Sequence, residues 1–509
     1  MFTSTSINKI YKTIVLISSK RHLKTNYTTL LSNRLHFSSD SSSSNKDFYD
    51  VVIAGGGMVG CSMACKLVND PGFHDMSILL LEGGPGKTIQ KPSKGEKKTG
   101  RTYSNRVSAL SKSSVKLLQS VGAWEIIENL YGYCEVKEMR IWNSSIEKSD
   151  KNNILTFGND DNLAYMVEND AILEALHSKI LNNPNITVQY DSKVDQCYLP
   201  KQDTDLAVVK IANREKTYNT SLLIGSDGFH SKVRSSINGQ QYLSWEYGQR
   251  AVVANVQLQN TNSDSNDRNV AWQKFATLGP IALLPLDNQT CSIAWTTSNE
   301  EAQRLVQCTE DEFIKTLNSA LSDEESNSTG SNLADDINGN ISTAINMCLL
   351  SSGLNNEQNK TSLVSPTVVG VTKNSRASFP LGFGHACRYV GQRVAIVGDA
   401  AHRIHPLAGQ GVNLGFSDVI ELSSQLKKSL LTGADIGDIH ALLNYESNAQ
   451  ASNIPIMLGI DMIQKTYGSN NQFIPSALLK FGRNLGLTVC QSATILKAIL
   501  SHKASGLPA

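Results

Sequence analysis

A chain of 509 residues with 40% hydrophobic content and a formal net charge of +1 is long enough for two or three domains around a large core. Its near-neutral balance removes the electrostatic case for a nucleic-acid partner, and its hydrophobic content excludes a fully disordered chain. Nine scattered cysteines without a C-x-x-C pair describe neither a disulfide framework nor a zinc ribbon, so a reducing compartment fits and no metal is expected.

The first 39 residues carry Lys9, Lys12, Lys20, Arg21, Lys24 and Arg34, many Ser and Thr, and no acid before Asp40. That composition predicts a mitochondrial transit peptide, joined through the serine tract 41–44 to the mature fold, so 1–47 is read as transit peptide and linker. No apolar run in the sequence is long enough to span a bilayer, and any work at a membrane is expected to be peripheral.

"FYDVVIAGGGMVGCSMACKLV" then reads as a β-branched strand, a glycine turn and a helix, with a second strand in "SILLLEGG". Gly55, Gly57 and Gly60 stand in G-x-G-x-x-G spacing: the first for the tight turn, the second for close approach of a pyrophosphate, the third for helix–strand packing. The helix N-terminus would face the phosphates with free N–H groups. Glu82, 22 residues after Gly60, can accept from both hydroxyls of an adenosine ribose and would repel a 2′-phosphate, which leaves FAD or NAD(H) as the ligand. Cys61 and Cys65 on that helix are expected to be small packing residues.

Helical spacing is expected over 106–130, strands at 139–142 and 154–168, a helix in "AILEALHSKIL", and short strands over 186–211. "LLIGSDGFHSKVR" follows, with Asp227 and Gly228 in a turn at a strand end and Ser231 and Arg234 placed to tie that turn down. D-G-x-x-S-x-x-R after an apolar strand resembles the second fingerprint of aromatic-ring flavoprotein monooxygenases of the p-hydroxybenzoate hydroxylase type. That resemblance implies FAD, an α/β fold with a Rossmann-type FAD-binding domain, an antiparallel β-sheet substrate domain and a C-terminal helical region. It also makes Arg106, in "RVSALS", similar to the flavin-contacting arginine of that class.

Residues 251–257 and 270–297 alternate as strands of a separate antiparallel sheet, whose Trp272, Phe275, Leu283, Leu284 and Trp295 are candidates for a substrate wall; an ordinary sheet core is the other reading. The stretch 322–362, rich in Asn, Ser and acids, reads as an inserted loop. In "AIVGDAAHRIHPLAGQGVNLGFSD", Asp399 ends a strand where a carboxylate can bind a ribityl hydroxyl. Gly409, Gln410, Gly411 and Asn413 open a helix whose N–H groups can face the electron-rich ring of a flavin. His402 and His405 are read as polar packing beside the cofactor. The C-terminal 454–509 is expected to be mostly helical.

"GPIALLPL", "MRIW", "RNLGL" and above all "HPLAGQGVNLG" are similar to the ubiquinone-biosynthesis hydroxylase family in its mitochondrial branch, over roughly residues 48–500. The sequence departs from that pattern at "YESNAQASN", 445–453, where more arginine is expected. The resemblance implies FAD-dependent hydroxylation, through a flavin hydroperoxide, of a polyprenylated 4-hydroxybenzoate at C5, the ring carbon ortho to the phenol. It further implies O2 as co-substrate, electrons from ferredoxin and its reductase, and contact with other ubiquinone-biosynthesis proteins on the matrix side of the inner membrane. The chemistry belongs to the flavin, so no catalytic acid–base residue is nominated. A flavin dehydrogenase or isoprenoid reductase on the same fold, and a noncatalytic flavin-bound scaffold, are the alternatives. The domain reading is 48–245 and 376–450 for FAD, 246–375 for substrate and 451–509 for the C-terminal helices.

Overall fold

Apolar runs without polar alternation build a parallel sheet covered on both faces. Its path runs Val390–Gly391, Val394–Ile396, Thr217–Gly225, Phe48–Ala54, Ile78–Leu81, Ile186–Gln189, and every neighbouring pair from Val394–Ile396 onward is parallel. Val51, Val52, Ile53 and Ile78 to Leu80 are wholly buried in it. The computed structural model describes residues 47–467 other than 87–102, 144–154, 159–161, 202–204, 213–215, 260–268, 277, 323–365 and 407–408. The transit-peptide stretch, nearly all of the expected loop 322–362, "RNLGL" and the C-terminal part from 468 lie outside the described residues.

Three strands of this sheet end level with one another. Ala54 is the register partner of Gly225, and Gly225 of Ile396, so the chain leaves the sheet at 55, 226 and 397 side by side. The glycine turn at 55, the Asp227 turn and the Asp399 turn therefore share one edge, although they lie far apart in sequence. Ligands of open α/β sheets bind beyond such carboxyl ends.

The stretch 106–130 differs from its helical expectation. Val107–Leu110 is a strand, paired antiparallel with Ala164–Glu168, and the helix begins only at Lys112. Ser111 decides the boundary, because its Oγ accepts from the Ser114 N–H and caps the helix there.

The second sheet is ordered His402–Arg403, Ala377–Ala386, Tyr242–Leu258, Thr290–Ser298, Gly279–Pro285, Val270–Ala276, Glu138–Asn143, Leu155–Gly158. It is antiparallel apart from the pairing of Val270–Ala276 with Glu138–Asn143. Helices Asn299–Gln307 and Glu310–Leu321, capped by Ser298 and Thr309, cover one face. The buried Lys274 ammonium donates to the Leu321 and Ser322 carbonyls, 3.1 Å each, meeting the negative end of the second helix with a cation.

Strand alternation then sorts the five candidate wall residues. Trp272, Leu283 and Trp295 pack with Trp142, Phe313 and Leu317 on the helix-covered face, so they build the core of this layer rather than a substrate wall. Leu284 lies on the opposite face, with Ala271 and Met139, against Val107, Ala109 and Met166 of a small three-stranded sheet ordered Val107–Leu110, Ala164–Glu168, Cys134–Val136. Phe275 falls on that face too, three residues from Trp272 in the same strand.

Candidate cofactor site

Gly55 adopts φ +104°, and a Cβ there would stand 2.3 Å from the Ser226 carbonyl oxygen. At Gly60 a Cβ would stand 2.0 Å from the Gly55 carbonyl oxygen and 2.4 Å from Ser226 Oγ. Ser226 Oγ itself lies 2.9 Å from the carbonyl oxygens of Ala54 and Gly55, so the second motif sits under the first glycine turn. Gly57 is the opposite case, with nothing within 4 Å of a Cβ. It precedes helix Met58–Val68, whose first turn holds no acid and no side-chain cap, so the positive end stays available to an anion. Glu82 closes the next strand: Oε2 accepts from the Gly56 N–H at 2.8 Å and Oε1 from the Gly84 N–H at 2.7 Å, which fixes the carboxylate beside the turn. Burial holds the Cys65 thiol up at about 12, and Cys61, also buried, is raised too, so both remain protonated packing groups.

Asp227 caps the short helix after it, Oδ2 accepting from the N–H groups of Lys232 (2.7 Å) and Val233 (3.3 Å), whereas its buried Oδ1 has no partner. Gly228 turns at φ +77° with open space at its Cβ position. Ser231 Oγ accepts from the Arg234 N–H at 2.8 Å. The Arg234 guanidinium donates to the carbonyls of Phe229 (2.6 Å) and Ala400 (2.8 Å) and stacks 3.8 Å over the Tyr242 ring, so one side chain ties the second turn to the third. Arg234→Lys keeps the charge but cannot reach both carbonyls; we expect a loss of about 1–3 kcal/mol in urea denaturation at unchanged m-value.

The third turn, Gly398–Ala400, presents an exposed Asp399 side chain that accepts no side-chain or backbone hydrogen bond among the described residues and feels the charges of His402 and Arg403. Gly398, at φ +62°, and Gly415 both close on Val59: a Cβ on either would stand 3.1 Å and 2.6 Å from Val59 Cγ2. Helix Gly411–Leu431 thereby packs on the helix of the first motif. Gly409 turns at φ +58°, Gln410 precedes the helix, and Gly411 is open at its Cβ position, so backbone N–H groups can face a ligand there. The Asn413 side chain points the other way: Oδ1 accepts from Ser111 N–H and Ser114 Oγ, and Nδ2 donates to the Ala109 carbonyl at 2.8 Å. Its work is to hold this loop against strand Val107–Leu110. Arg106 immediately precedes that strand, and its exposed guanidinium has no hydrogen-bond partner among the described residues.

Sequence reasoning missed Ser226, Val59, Asp418 and Asn453. Asp418 had a signal, as a lone acid among the buried positions Leu414, Val419 and Leu422 of an amphipathic helix. His402 Nε2 lies 2.6 Å from Asp418 Oδ2 in a fully buried pair, and His405 packs edge-on to Tyr247 at 5.4 Å. "YESNAQASN" turns one face inward, while Ser447, Asn448 and Ala451 are exposed: Tyr445 OH donates to the Ile396 carbonyl, Glu446 accepts from the Tyr389 N–H, Gln450 donates to the Cys387 carbonyl and Asn453 to Asp418.

Open Cβ positions at Gly57, Gly228 and Gly411, a helix end without acids, an orphaned buried Asp227 oxygen and an exposed Asp399 fit FAD, and they define an FAD-binding protein. The FAD binding domain family matches residues 94–332 and 359–452. Human ubiquinone biosynthesis monooxygenase COQ6, mitochondrial, is 39% identical over 465 residues, 90% of this chain and 92% of its own, and the Caenorhabditis elegans protein of the same name is 38% identical over 461 residues, 89% and 95%. The chain belongs to this ubiquinone biosynthesis monooxygenase family. Among solved structures, p-nitrophenol 4-monooxygenase PnpA from Pseudomonas putida (TM-score 0.57, 14% identity, 91% of this chain and 100% of that one) and PqsL, a probable FAD-dependent monooxygenase from Pseudomonas aeruginosa (0.54, 17%, 81% and 93%), share the fold. The relatives are designated mitochondrial, and residues 1–39 of this chain are basic and free of acids. Among the described residues no helix is long and apolar enough to cross a membrane.

Proposed function

We propose that this protein hydroxylates the ring of a polyprenylated 4-hydroxybenzoate at C5, ortho to the phenol, on the matrix side of the mitochondrial inner membrane, with electrons delivered by a ferredoxin and its reductase. The observation that carries this reading is the convergence of the Gly55, Asp227 and Asp399 turns at one sheet edge, in a chain 39% identical to human COQ6 over nine-tenths of its length. Bound FAD, once reduced, supplies the activation of O2 needed for ring oxygenation.

The residues bind and orient. Gly55, Gly57 and Gly60 bring the first helix to the pyrophosphate, Glu82 takes the ribose hydroxyls, and the free oxygen of Asp227 with the Gly228 turn lies alongside the dinucleotide. Asp399 takes a ribityl hydroxyl, Gly409 to Gly411 turn N–H groups to the isoalloxazine, and Arg106 approaches from the facing strand. The face of the second sheet with Ala271, Leu284, Met139 and Phe275 is the wall that positions the ring and excludes water. On this reading 48–245 and 376–450 contribute the FAD domain and 246–375 the substrate domain, to which strands Glu138–Asn143 and Leu155–Gly158 add; the boundaries shift in that Ala377–Ala386 and His402–Arg403 join the substrate sheet and one helix, Ile439–Tyr467, runs through 450/451.

Mass analysis of the prenylated compound that builds up when the protein is removed tests this. A 4-hydroxybenzoate derivative lacking the C5 oxygen is expected, converted by the restored protein with gain of one oxygen from O2. An accumulating compound already oxygenated at C5 would refute it.

A further inference from the structure

We propose that Asp418, held by Asn453 of the helix Ile439–Tyr467 and paired with His402, is a positioning residue that sets the Gly398–Asp399 turn against FAD. The proposal rests on reading Asp399 as the ribityl partner. Asp418 Oδ2 accepts from the Gly398 N–H at 2.9 Å and from His402 Nε2 at 2.6 Å, while Oδ1 accepts from Asn453 Nδ2 at 2.9 Å. All three side chains are buried, with Asp418 and His402 at 1% exposure and Asn453 at 0%. The three donors come from a turn, a short strand and a separate helix, and one of them is the backbone N–H immediately before Asp399. A second tie reaches the same place, Tyr445 OH to the Ile396 carbonyl at 2.8 Å, two residues before Gly398. The helix Ile439–Tyr467 is thus bonded to the strand that enters the flavin turn and, through Asp418, to the turn itself.

Burying a carboxylate is costly unless its lone pairs are met. Here three donors meet them, and the direction of each bond fixes where Gly398 lies. Without the carboxylate, the turn at φ +62° keeps its glycine but loses the acceptor that orients it. An Asp399 side chain misplaced by a fraction of an ångström no longer meets the ribityl hydroxyl well.

The pair also gives the arrangement a pH signature. Burial pulls the His402 imidazolium towards neutrality, but the charge and hydrogen bond of Asp418 outweigh it and raise its pKa. A group raised in the folded state stabilises at low pH and loses that contribution as pH rises through its folded value. The other titratable groups facing His402 are Asp399 on its own turn, His385 across the strand pair and Tyr389 at 6.0 Å. Burial lowers His385 to about 4 and raises Tyr389, so both stay neutral from pH 6 to 9.

The test is FAD affinity of the full-length apoprotein, followed by quenching of flavin fluorescence between pH 6 and 9, with visible circular dichroism of the bound flavin. The wild-type apoprotein is expected to lose stability in urea on the alkaline side as His402 gives up its proton, its alkaline limb. Asp418→Asn should bind FAD roughly tenfold more weakly at pH 7, with an altered flavin dichroism, and its stability should lack most of the alkaline limb, because the Asp418 charge and hydrogen bond that raise His402 are gone. Asn453→Ala, which keeps the Asp418–His402 pair, should weaken binding less while keeping the limb, and supplies the readout if Asp418→Asn does not fold. Asn448→Ala, which loses only a bond to Glu421 at the surface, is the control. If Asp399→Ala releases FAD while Asp418→Asn and Asn453→Ala bind like wild type at every pH, the positioning role is refuted and the ribityl assignment stands. If Asp399→Ala binds like wild type, the assignment falls and the positioning role with it.

Discussion

Gly57→Glu is expected to leave the apoprotein folded and to abolish FAD binding. The backbone at Gly57, φ −72°, is open to any residue, and no atom lies within 4 Å of an added Cβ, so apoprotein stability should stay within about 0.5 kcal/mol of wild type. The new carboxylate would occupy the N-terminal end of helix Met58–Val68, where a pyrophosphate must come. Two like charges at that range repel by about 4 kcal/mol at an effective dielectric near 20, which is on the order of several-hundredfold in affinity before any steric cost. A thermal melt of the apoprotein and the visible absorbance of the protein purified with excess FAD check the two halves. A yellow, tightly loaded Gly57→Glu protein would remove the pyrophosphate from this helix end. Gly60 offers no such separation of fold from ligand, because its Cβ would strike the Gly55 carbonyl oxygen at 2.0 Å.

Trp295→Ala is expected to cost about 3–5 kcal/mol of stability, a large share of what a domain has. The side chain is wholly buried between strands and the helices Asn299–Gln307 and Glu310–Leu321, and its removal leaves a cavity that the surrounding strands cannot close. Chemical denaturation measures the loss, and FAD affinity of the protein that remains folded should be unchanged. A variant of near-normal stability that binds FAD but no longer turns over substrate would return Trp295 to the substrate wall.

The contrast between Trp295 and Leu284 shows how far the sequence could be read. Alternation in "GPIALLPL" and "CSIAWTT" says which residues share a face; it does not say which face meets helices and which meets the small three-stranded sheet. The large side chains Trp272, Leu283 and Trp295 fill the side covered by helices, where there is volume to occupy. The glycine fingerprint behaved differently, because its spacing between a strand and a helix marks the turn locally, although the remote Ser226 also presses on Gly55 and Gly60. "YESNAQASN" read as an unexplained departure for the reason that its partners, Ile396, Tyr389, Cys387 and Asp418, lie on other elements. Asp418 was visible as an acid on an apolar helix face, but its donors were not.

The opening strand–turn–helix, the three turn motifs and the cofactor class were legible in the sequence alone, since each depends on the chemistry of residues close together in the chain. Tertiary structure alone decided that Ala54, Gly225 and Ile396 end in register, that Arg234 and Ser226 bind one turn to the next, and that Asp418 is shared by Gly398, His402 and Asn453. Those contacts join residues separated by tens to hundreds of positions, and only the packing of the sheet and its helices brings their atoms within hydrogen-bonding reach.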